Sequence, residues 1–558
     1  MEIQAAAAEQ VEEGDKIHRF STGMRKERNI YNWLFILCLI ANSTYGQGYY
    51  DTALRFGQNS IFGSVKSMGM GGVQMATGAD GSAQTANPAA PGLMRKSEIQ
   101  FGLMPVFNRS VNTYEGAEVE ANKNRAPIGN FSLSLCNPKD DIQPGSFRGG
   151  TFTISYNRMA VFDRNSNWEG ISKLTPGQGN TVKNSIIDYY LDQLKGYSPN
   201  DVLINRDVQP NTIPANYNAD INLFYDTFVL DVDASKNEFT SYIPRGDMKK
   251  MGTWNQTLSQ GIWNAGYSAN FNDKIYIGAS LGYFTSNFKS DVTYGETLIN
   301  IDPGDPNFVN SQAFRGFNFN ITKTINQQAR GITGNIGILG RISDNFRIGG
   351  SVQLPTSVSI SETFDSKMEA NYNQIAYWYN TPDKQITLGA ESAFTQTNDY
   401  NSKLRIPAKY RLGATYIAGK SGMFGIDLEY TDLSKTKLTE GDGGYNFKDE
   451  NAIIQNAYKP TLNIKVGGEL RFEDFRFRLG YAFMPTALRE NSSFKNNANG
   501  DAHYFTGGIG GRYESWFWDA ALVYGFWKTK YNYLPAISSD VSSKVTTTQF
   551  RLGVGFYF

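Results

Sequence analysis

Side chains that commonly perform acid–base and nucleophilic chemistry are scarce in this sequence of 558 residues. It contains two histidines and two cysteines, and only His503 and Cys136 lie beyond residue 46. Zinc sites, cysteine–histidine pairs and haem ligation need more such donors than these. A serine hydrolase built around His503 is the remaining alternative, but a single histidine near the start of a strand is more often structural. We therefore predict a protein that is not an enzyme and has no cofactor or metal.

Two short motifs suggest binding chemistry, and neither has the context that it needs. In Gly69-Met70-Gly71-Gly72, the third glycine of a dinucleotide-binding GxGxxG motif would fall at Gln74, and no βαβ unit surrounds it. Asp302 and Asp305 could bind calcium, but the proline and glycine between them favour a simple turn.

The composition favours strands over helices. Aromatic residues make up 14% of the chain, 56 residues are glycine, and 19% are charged, against about 25% charged residues in typical soluble domains. The 53 basic and 53 acidic residues cancel, so no net field attracts nucleic acid. Abundant aromatic residues without net charge also argue against disorder.

The first 46 residues are typical of targeting sequence. A basic stretch after Met24 precedes the apolar run WLFILCLIA, and small residues precede Gln47. This order is typical of a secretory signal peptide, and the apolar run is too short for a membrane-spanning helix. We predict that residues 1–46 are an N-terminal extension followed by a signal peptide, which begins at Met24 and is cleaved before Gln47.

The last segment of the chain alternates apolar and polar residues up to its final aromatic residue. Its apolar face consists of Phe550, Leu552, Val554, Phe556 and Phe558. Gln549 and Arg551 lie on the opposite face. The pattern resembles the signal by which outer-membrane barrels are recognised for insertion, although an ordinary half-buried strand would also alternate.

Fourteen segments alternate in this way: 98–107, 129–136, 150–159, 262–271, 274–285, 328–342, 346–359, 402–418, 422–433, 462–472, 475–484, 503–513, 516–527 and 545–558. Tight turns alternate with long connections at 160–261, 286–327, 360–401, 434–461 and 528–544. This asymmetry is typical of outer-membrane barrels, with short periplasmic turns and long extracellular loops. We predict an all-β fold, a transmembrane antiparallel β-barrel of about 14 strands over residues 98–558.

Residues 47–97 do not alternate and are rich in small residues. They contain Ser67-Met68-Gly69-Met70-Gly71-Gly72, then Asp80-Gly81-Ser82-Ala83, then Asn87-Pro88-Ala89. These motifs resemble the N-terminal hatch of the FadL/TodX family of outer-membrane transporters for hydrophobic compounds. The sequences FRIGGS from Phe346 and RIP from Arg405 also resemble the family, whereas Ala90-Pro91-Gly92 departs from its pattern. We predict that residues 47–97 form a hatch that plugs the barrel lumen.

The resemblance implies passive uptake of hydrophobic molecules, such as long-chain fatty acids or aromatic hydrocarbons, through a hatch-gated barrel. The hatch residues that it implicates in ligand passage or gating are Gly69, Gly71, Gly72, Asn87, Pro88 and Ala89. We expect the Asn87 carboxamide to bond either to backbone or to lumen groups such as Lys465, Glu469 and Arg471. The alternative function is a non-transporting barrel that acts in protein secretion or surface assembly.

An amphipathic helix is predicted in the longest connection, ending near Gly196. Its apolar face consists of Ile186, Ile187, Tyr190, Leu191 and Leu194. This face either lines an extracellular capture groove or only packs its own loop. The partners that we expect are outer-membrane lipid, a hydrophobic small-molecule ligand and the barrel-assembly machinery, with no nucleic acid and with a monomeric barrel in the outer membrane.

Overall fold

The computed structural model describes residues 49–58, 60–139, 146–174, 184–203, 218–233, 235–303, 313–378, 385–490, 500–531 and 540–558. The predicted signal peptide and its cleavage site lie outside these residues. Among the described residues, no helix has both the length and the apolar character needed to cross a membrane.

Fourteen antiparallel strands form a closed barrel. In chain order they are β1 (Glu98–Leu103 and Val106–Tyr114), β2 (Ala117–Arg125 and Ile128–Pro138), β3 (Phe147–Ser172), β4 (Gly246–Phe271), β5 (Ile275–Ile301), β6 (Asn318–Arg341), β7 (Phe346–Gln353 and Thr356–Trp378), β8 (Gln385–Phe394, Asn398–Ile406 and Lys409–Ala418), β9 (Gly422–Asp432), β10 (Pro460–Phe472), β11 (Phe475–Met484), β12 (Ala502–Arg512), β13 (Trp516–Tyr531) and β14 (Val541–Tyr557). β14 pairs with β1, which closes the barrel. The predicted fold class and strand number are confirmed.

The remaining elements are short. The helices are α1 (Tyr49–Gly57), α2 (Val65–Gly69), α3 (Ile186–Gln193), α4 (Ala219–Asp226) and α5 (Lys448–Ala457). Single 3-10 turns occur at Gly81–Thr85, Ala90–Leu93, Pro199–Asp201, Leu433–Lys435 and Asp442–Gly444. Asp231–Asp233 pairs with Glu238–Thr240 in a small hairpin, and the strand Lys437–Gly441 pairs with β8.

Prolines interrupt four barrel strands. The alternation in the sequence predicted three of them as continuous across the proline and the fourth, β2, as a shorter strand that begins after it. β1, β2, β7 and β8 break at Pro105, Pro127, Pro355 and Pro407, respectively. Proline has no backbone N–H to donate to a ladder, so each break leaves one pairing position unfilled. Beyond the break each strand pairs again, as β1 does with β14 on both sides of Pro105.

The predicted long loops are shorter than expected, because their ends are strands. The interval 160–261 contains the upper parts of β3 and β4, and 286–327 contains those of β5 and β6. β5 alone has 27 residues. At about 3.3 Å per residue such a strand extends well past an apolar band of about 25 Å. These upper parts therefore project beyond the membrane, where the outward face is polar and apolar residues such as Phe319 and Ile321 of β6 face the interior instead.

Apolar side chains form a band on the outside of the barrel. On β6 and the turn after it, Ile332, Ile336, Ile338 and Ile342 are all more than half exposed. The predicted apolar face of β14 is also exposed, whereas Arg551 on its other face is 2% exposed and faces the lumen. A closed barrel with an apolar outer band is the architecture of an outer-membrane protein.

Candidate functional site in the barrel lumen

The described residues between 49 and 97, here called the lumen segment, lie inside the barrel. The Gly71 N–H donates a hydrogen bond to Thr506 Oγ1 on β12 at 2.8 Å. On another part of the wall, the Gln74 N–H donates to Asp427 Oδ2 on β9 at 2.7 Å. Most side chains from residue 61 to residue 94 are buried. The segment therefore fills the lower lumen, on the side of the short turns. Its role as a gate stays a prediction.

Glycines on the inner face of the wall make room for the lumen segment. A methyl group added to any of them would lie within 3.2 Å of an atom of the segment. These seat glycines are Gly102, Gly266, Gly278, Gly337, Gly349, Gly413, Gly425, Gly467, Gly480, Gly508 and Gly553. They come from every strand except β2, β3 and β13. The wall therefore has a groove, almost complete around its circumference, in which backbone packs against backbone.

Several seat glycines are direct neighbours across the ladders. Gly278 pairs with Gly337, and Gly349 pairs with Gly413. Gly467 pairs with Gly425 on one side and with Gly480 on the other. The sequence analysis missed the seat glycines as a group, although Gly349 lies in the FRIGGS motif. The pattern that could have revealed them is glycine at inward-facing positions that lie opposite one another on neighbouring strands.

Of the three predicted glycines of the lumen segment, Gly69 and Gly71 lie beside β11 and β12, and Gly72 lies beside Lys465 of β10. Gly71 and Gly72 have φ values of +69° and +81°, a region that side chains other than glycine rarely adopt. The Gly69 carbonyl accepts a hydrogen bond from Thr506 Oγ1 at 3.1 Å. A methyl group on Gly71 would lie 2.8 Å from the carbonyl oxygen of Tyr481. Both conformation and close approach therefore require glycine at position 71.

Asn87 is fully buried and links two parts of the lumen segment to the wall. Its Nδ2 donates to the Met75 carbonyl at 2.8 Å and to the Ile338 carbonyl of β6 at 3.2 Å. Its Oδ1 accepts from the Ala89 N–H at 3.0 Å. The neighbouring Pro88 carbonyl accepts a hydrogen bond from Ser268 on β4, at the same level of the wall. Asn87, Pro88 and Ala89 thus form one turn that is held by backbone groups.

The other partners predicted for Asn87 are engaged elsewhere in the lumen wall. Glu469 binds Arg471 at 3.0 Å and Arg478 at 2.8 Å. Arg478 also binds Asp519 at 2.7 Å, and all but Arg471 are buried. Asn87 therefore bonds to backbone, one of the two kinds of partner expected, and no hydrogen bond joins its side chain to Lys465, Glu469 or Arg471 in the described part of the chain.

Helix α1 occupies the lumen above the seat glycines. The Arg55 guanidinium lies 3.5 Å from the centre of the Phe288 ring, and Lys409 Nζ donates to the Gly57 carbonyl at 2.9 Å. Burial raises the pKa of Asp51 to about 6, while the nearby charges of Arg55 and Arg164 act in the opposite direction. The helix is thus docked by a few polar and aromatic contacts and carries a carboxyl group that is easily protonated.

Arg164 of β3 lies between two aromatic rings in the same part of the lumen. Its guanidinium carbon is 4.5 Å from the ring centre of Trp254 and 4.5 Å from that of Tyr531. The residue is 6% exposed, and its Nε and Nη2 have no hydrogen-bond partner among the described residues. A buried cation with free donors in an aromatic frame is suited to bind a carboxylate. The sequence analysis did not identify Arg164.

Helices α3 and α4 cover the extracellular end. Ser185 and Asp188 form a capping box at the start of α3, and its predicted apolar face is buried except for the half-buried Leu191. The Tyr190 ring packs on Phe224 of α4, with ring centres 5.0 Å apart. Side chains of this chain therefore cover Ile186, Ile187, Tyr190 and Leu194.

Buried ion pairing also ties the cover to the barrel wall. Asp220 of α4 accepts from Lys323 Nζ of β6 at 2.6 Å and from the Tyr190 hydroxyl at 3.1 Å. Both members of the ion pair are nearly inaccessible. Removing one partner of such a pair is costly, because the other charge stays buried.

The ladder is interrupted between the upper parts of β2 and β3. In the described residues, Ala117–Arg125 has no ladder pairing with β3, although the lower part of β2 pairs with it from Asn130 to Pro138. Side chains bridge the upper part instead, with Arg125 Nη1 at 3.0 Å from Asp163 Oδ1. β3 also changes register at Arg158. Few backbone hydrogen bonds would have to break for these strands to separate.

His503 does not belong to a cluster of titratable side chains in the described part of the chain. His503 lies on the outer side of β12, with its Nδ1 2.8 Å from the Tyr481 hydroxyl and its ring stacked on Phe526. No group of three or more histidine, cysteine, aspartate or glutamate side chains that could hold a metal ion occurs among the described residues. Asp305 lies outside them.

Comparison with solved structures identifies the architecture. A FadL homologue of Pseudomonas aeruginosa matches over 90% of this chain and 99% of its own, with 14% identity and a TM-score of 0.51. The chain has a FadL-like fold. The toluene transporters TodX of Pseudomonas putida and TbuX of Ralstonia pickettii match with 13% identity each, over 90% and 89% of this chain and 98% of their own, with TM-scores of 0.46 and 0.43. No family model and no curated protein sequence matches. This FadL-like barrel, with its apolar outer band, is an outer-membrane protein.

Proposed function

We propose that this protein admits hydrophobic molecules across the outer membrane by passive diffusion and that the lumen segment controls their passage. The observation that carries the proposal is a FadL-like barrel whose lumen is filled by a segment of its own chain, held by close backbone packing and a small number of polar bonds. Each such bond is worth about 0.5–1.5 kcal/mol net, so the segment can shift without unfolding the barrel.

The entry for a hydrophobic ligand is the aromatic interior beneath the cover. Phe319 of β6, Phe317 just before it and Tyr372 of β7 are buried there beside Phe224 of α4. An apolar molecule gains about 25 cal/mol for each Å² of surface that leaves water. Movement of α3 and α4 away from these rings would open an apolar capture site, and this supports a role for the predicted apolar face.

The exit is more favourable sideways than downwards. Below α1, a ligand would meet the ionic network of Glu469, Arg478 and Asp519, in which buried charges need their partners. The lower end of the break between the upper parts of β2 and β3 lies beside the exposed Ile128, at the edge of the apolar band, and opens there towards lipid. We infer a path from the cover to the upper lumen and out between these two strands.

Arg164 favours an acid as the ligand. Its free donors and flanking rings would hold a carboxylate while the apolar chain lies among the aromatic side chains above. This arrangement supports long-chain fatty acids over aromatic hydrocarbons, which have no acidic group to accept hydrogen bonds from the free donors of Arg164.

Mass spectrometry of lipids bound to protein purified in a mild detergent tests both the passage of hydrophobic molecules and the preference for an acid. We expect fatty acids to co-purify with the wild type and occupancy to fall about tenfold in Arg164→Gln, while Arg109→Gln on the outer surface has no effect. Neutral hydrocarbons bound equally by both proteins would contradict the acid assignment alone. A barrel that binds no hydrophobic molecule would contradict transport and favour a role in secretion or surface assembly.

A further inference from the structure

A polar groove lies on the outer surface of the barrel, away from the lumen. It has a volume of about 480 Å³ and is lined by side chains of β6, β7 and β8 and by the strand Lys437–Gly441. In the ladder register, Arg330 pairs with Ser359, Ser359 with Lys403, and Lys403 with Glu440. All four side chains point outwards and are exposed. The groove exists because the small serine lies between long side chains.

The lining holds two cations, Arg330 and Lys403, and two carboxylates, Glu440 and Asp442, and the cations Arg405 and Lys437 lie beside it on the same outer face. Glu440 is engaged by Lys403 at 2.6 Å, and Asp442 accepts a hydrogen bond from the Asn401 N–H at 2.7 Å. The other cations of this surface are Arg330, Arg405 and Lys437, and none of them takes part in an ion pair within the described part of the chain. The surface therefore presents positive charge together with serine and asparagine side chains that can bond to a polar ligand.

The groove lies immediately above the apolar outer band. Ile332, which is 67% exposed, is two residues below Arg330 on β6. Leu354 and Tyr410 continue the band beneath the groove on β7 and β8, at 44% and 52% exposure. In the membrane, this level faces lipid headgroups of the outer leaflet, because the short turns are at the opposite, periplasmic end.

We propose that this groove binds the phosphate-bearing headgroup of an outer-leaflet glycolipid. Arg330, Arg405 and Lys437 supply charge for the phosphate, and Ser359 and Asn401 supply hydrogen bonds for sugar hydroxyls. The acyl chains lie against Ile332, Leu354 and Tyr410. The bound molecule is a structural lipid of the membrane and not the transported ligand, so this inference does not depend on the transport proposal.

Native mass spectrometry of the full barrel in detergent, with diphosphorylated lipid A as the probe, tests the proposal. Removing two cations in Arg330→Gln/Arg405→Gln should lower lipid A affinity by about 5-fold for each cation. Ser359→Tyr keeps every charge but fills the groove, and it should also lower the affinity. Arg109→Gln is the matched control, because Arg109 lies two residues above Phe107 at the band edge of β1 but is paired with Glu120.

These outcomes distinguish a specific site for the headgroup from nonspecific binding of lipid to the barrel surface. Lipid A that has been enzymatically dephosphorylated should bind no better to the wild type than to the double variant. Millimolar inorganic phosphate should leave lipid A bound, because the acyl chains contribute to affinity. Equal lipid A binding by the wild type and both groove variants would overturn the proposal. So would dephosphorylated lipid that binds the wild type as tightly as intact lipid A does, or displacement of lipid A by phosphate alone.

Discussion

Gly480 of β11 lies so close to Gly71 that a methyl group on Gly480 would be 2.1 Å from the Gly71 backbone nitrogen. Real side chains do not approach that closely, so either the wall or the lumen segment would have to move. The ladder of β11 is bonded on both sides by β10 and β12, whereas the segment is held by isolated contacts. The segment is therefore the part that yields.

Gly480→Ala is expected to displace the lumen segment while the barrel still folds. Overpacking of this kind costs about 1–3 kcal/mol, which shifts the segment towards undocked states. In planar bilayers the variant should conduct more than the wild type, and deletion of residues 49–94 should set the upper limit. Gly507→Ala on the outer side of β12 is the control, because its nearest neighbour would be 3.8 Å away. Wild-type conductance in Gly480→Ala would show that the seat glycines do not hold the segment.

Asn87→Ala is expected to change uptake of a hydrophobic substrate more than barrel stability. The substitution leaves the Met75 and Ile338 carbonyls without this donor, and each unsatisfied buried group costs about 1–3 kcal/mol. The cost is local to the turn, because the barrel ladders do not involve the Asn87 side chain. Heat-modifiable migration on gels reports barrel folding, with Asn122→Ala on the exposed face of β2 as the control. A barrel that unfolds in Asn87→Ala would rule out a gating turn.

Docking of α1 is expected to weaken as the pH rises from about 4 to about 6. The pKa of Asp51 is about 6 in the folded protein against an ordinary value of 3.8, so the docked helix favours the protonated carboxyl. The stabilisation is complete below the ordinary value and is lost as the pH passes through the folded value. A spin label at Gln58→Cys, with Cys136→Ser, should become more mobile over this interval. In Asp51→Asn the label should show no pH dependence, and an unchanged dependence would assign the titration to another group.

The strand number followed from the sequence because lipid dictates the alternation. Wherever a strand crosses the apolar band, as between Ile332 and Ile342, one face must be apolar and the pattern is visible. Above the band, water wets the outer face, and the inner face mixes apolar side chains such as Leu258 with polar ones such as Lys250 and Gln256. The upper ends of β3 and β4 therefore lack the pattern that marks a strand, and they were predicted as loop.

The contacts of the lumen segment could be predicted only in part. The glycine-rich composition of residues 47–97 indicated close packing in the lumen. The glycines of the wall could not be predicted, because a strand glycine has the same local sequence pattern whether it contacts the segment, as Gly480 does, or faces lipid, as Gly507 does. Likewise, the apolar face of α3 was visible as a periodicity. Its cover, Phe224, is far along the chain and depends on tertiary packing.

Uptake of a long-chain fatty acid tests the central claim most directly. The test uses cells that lack their own fatty-acid channel and express either the wild-type chain, the Arg164→Gln variant or an empty vector. In each strain the initial rate of oleate entry is compared with that of a polar sugar of similar mass. We predict that the wild type raises the rate for oleate but not for the sugar and that Arg164→Gln loses most of this gain. An oleate rate equal to that of cells without the barrel, or an equal rise for the sugar, would contradict a gated path for hydrophobic molecules.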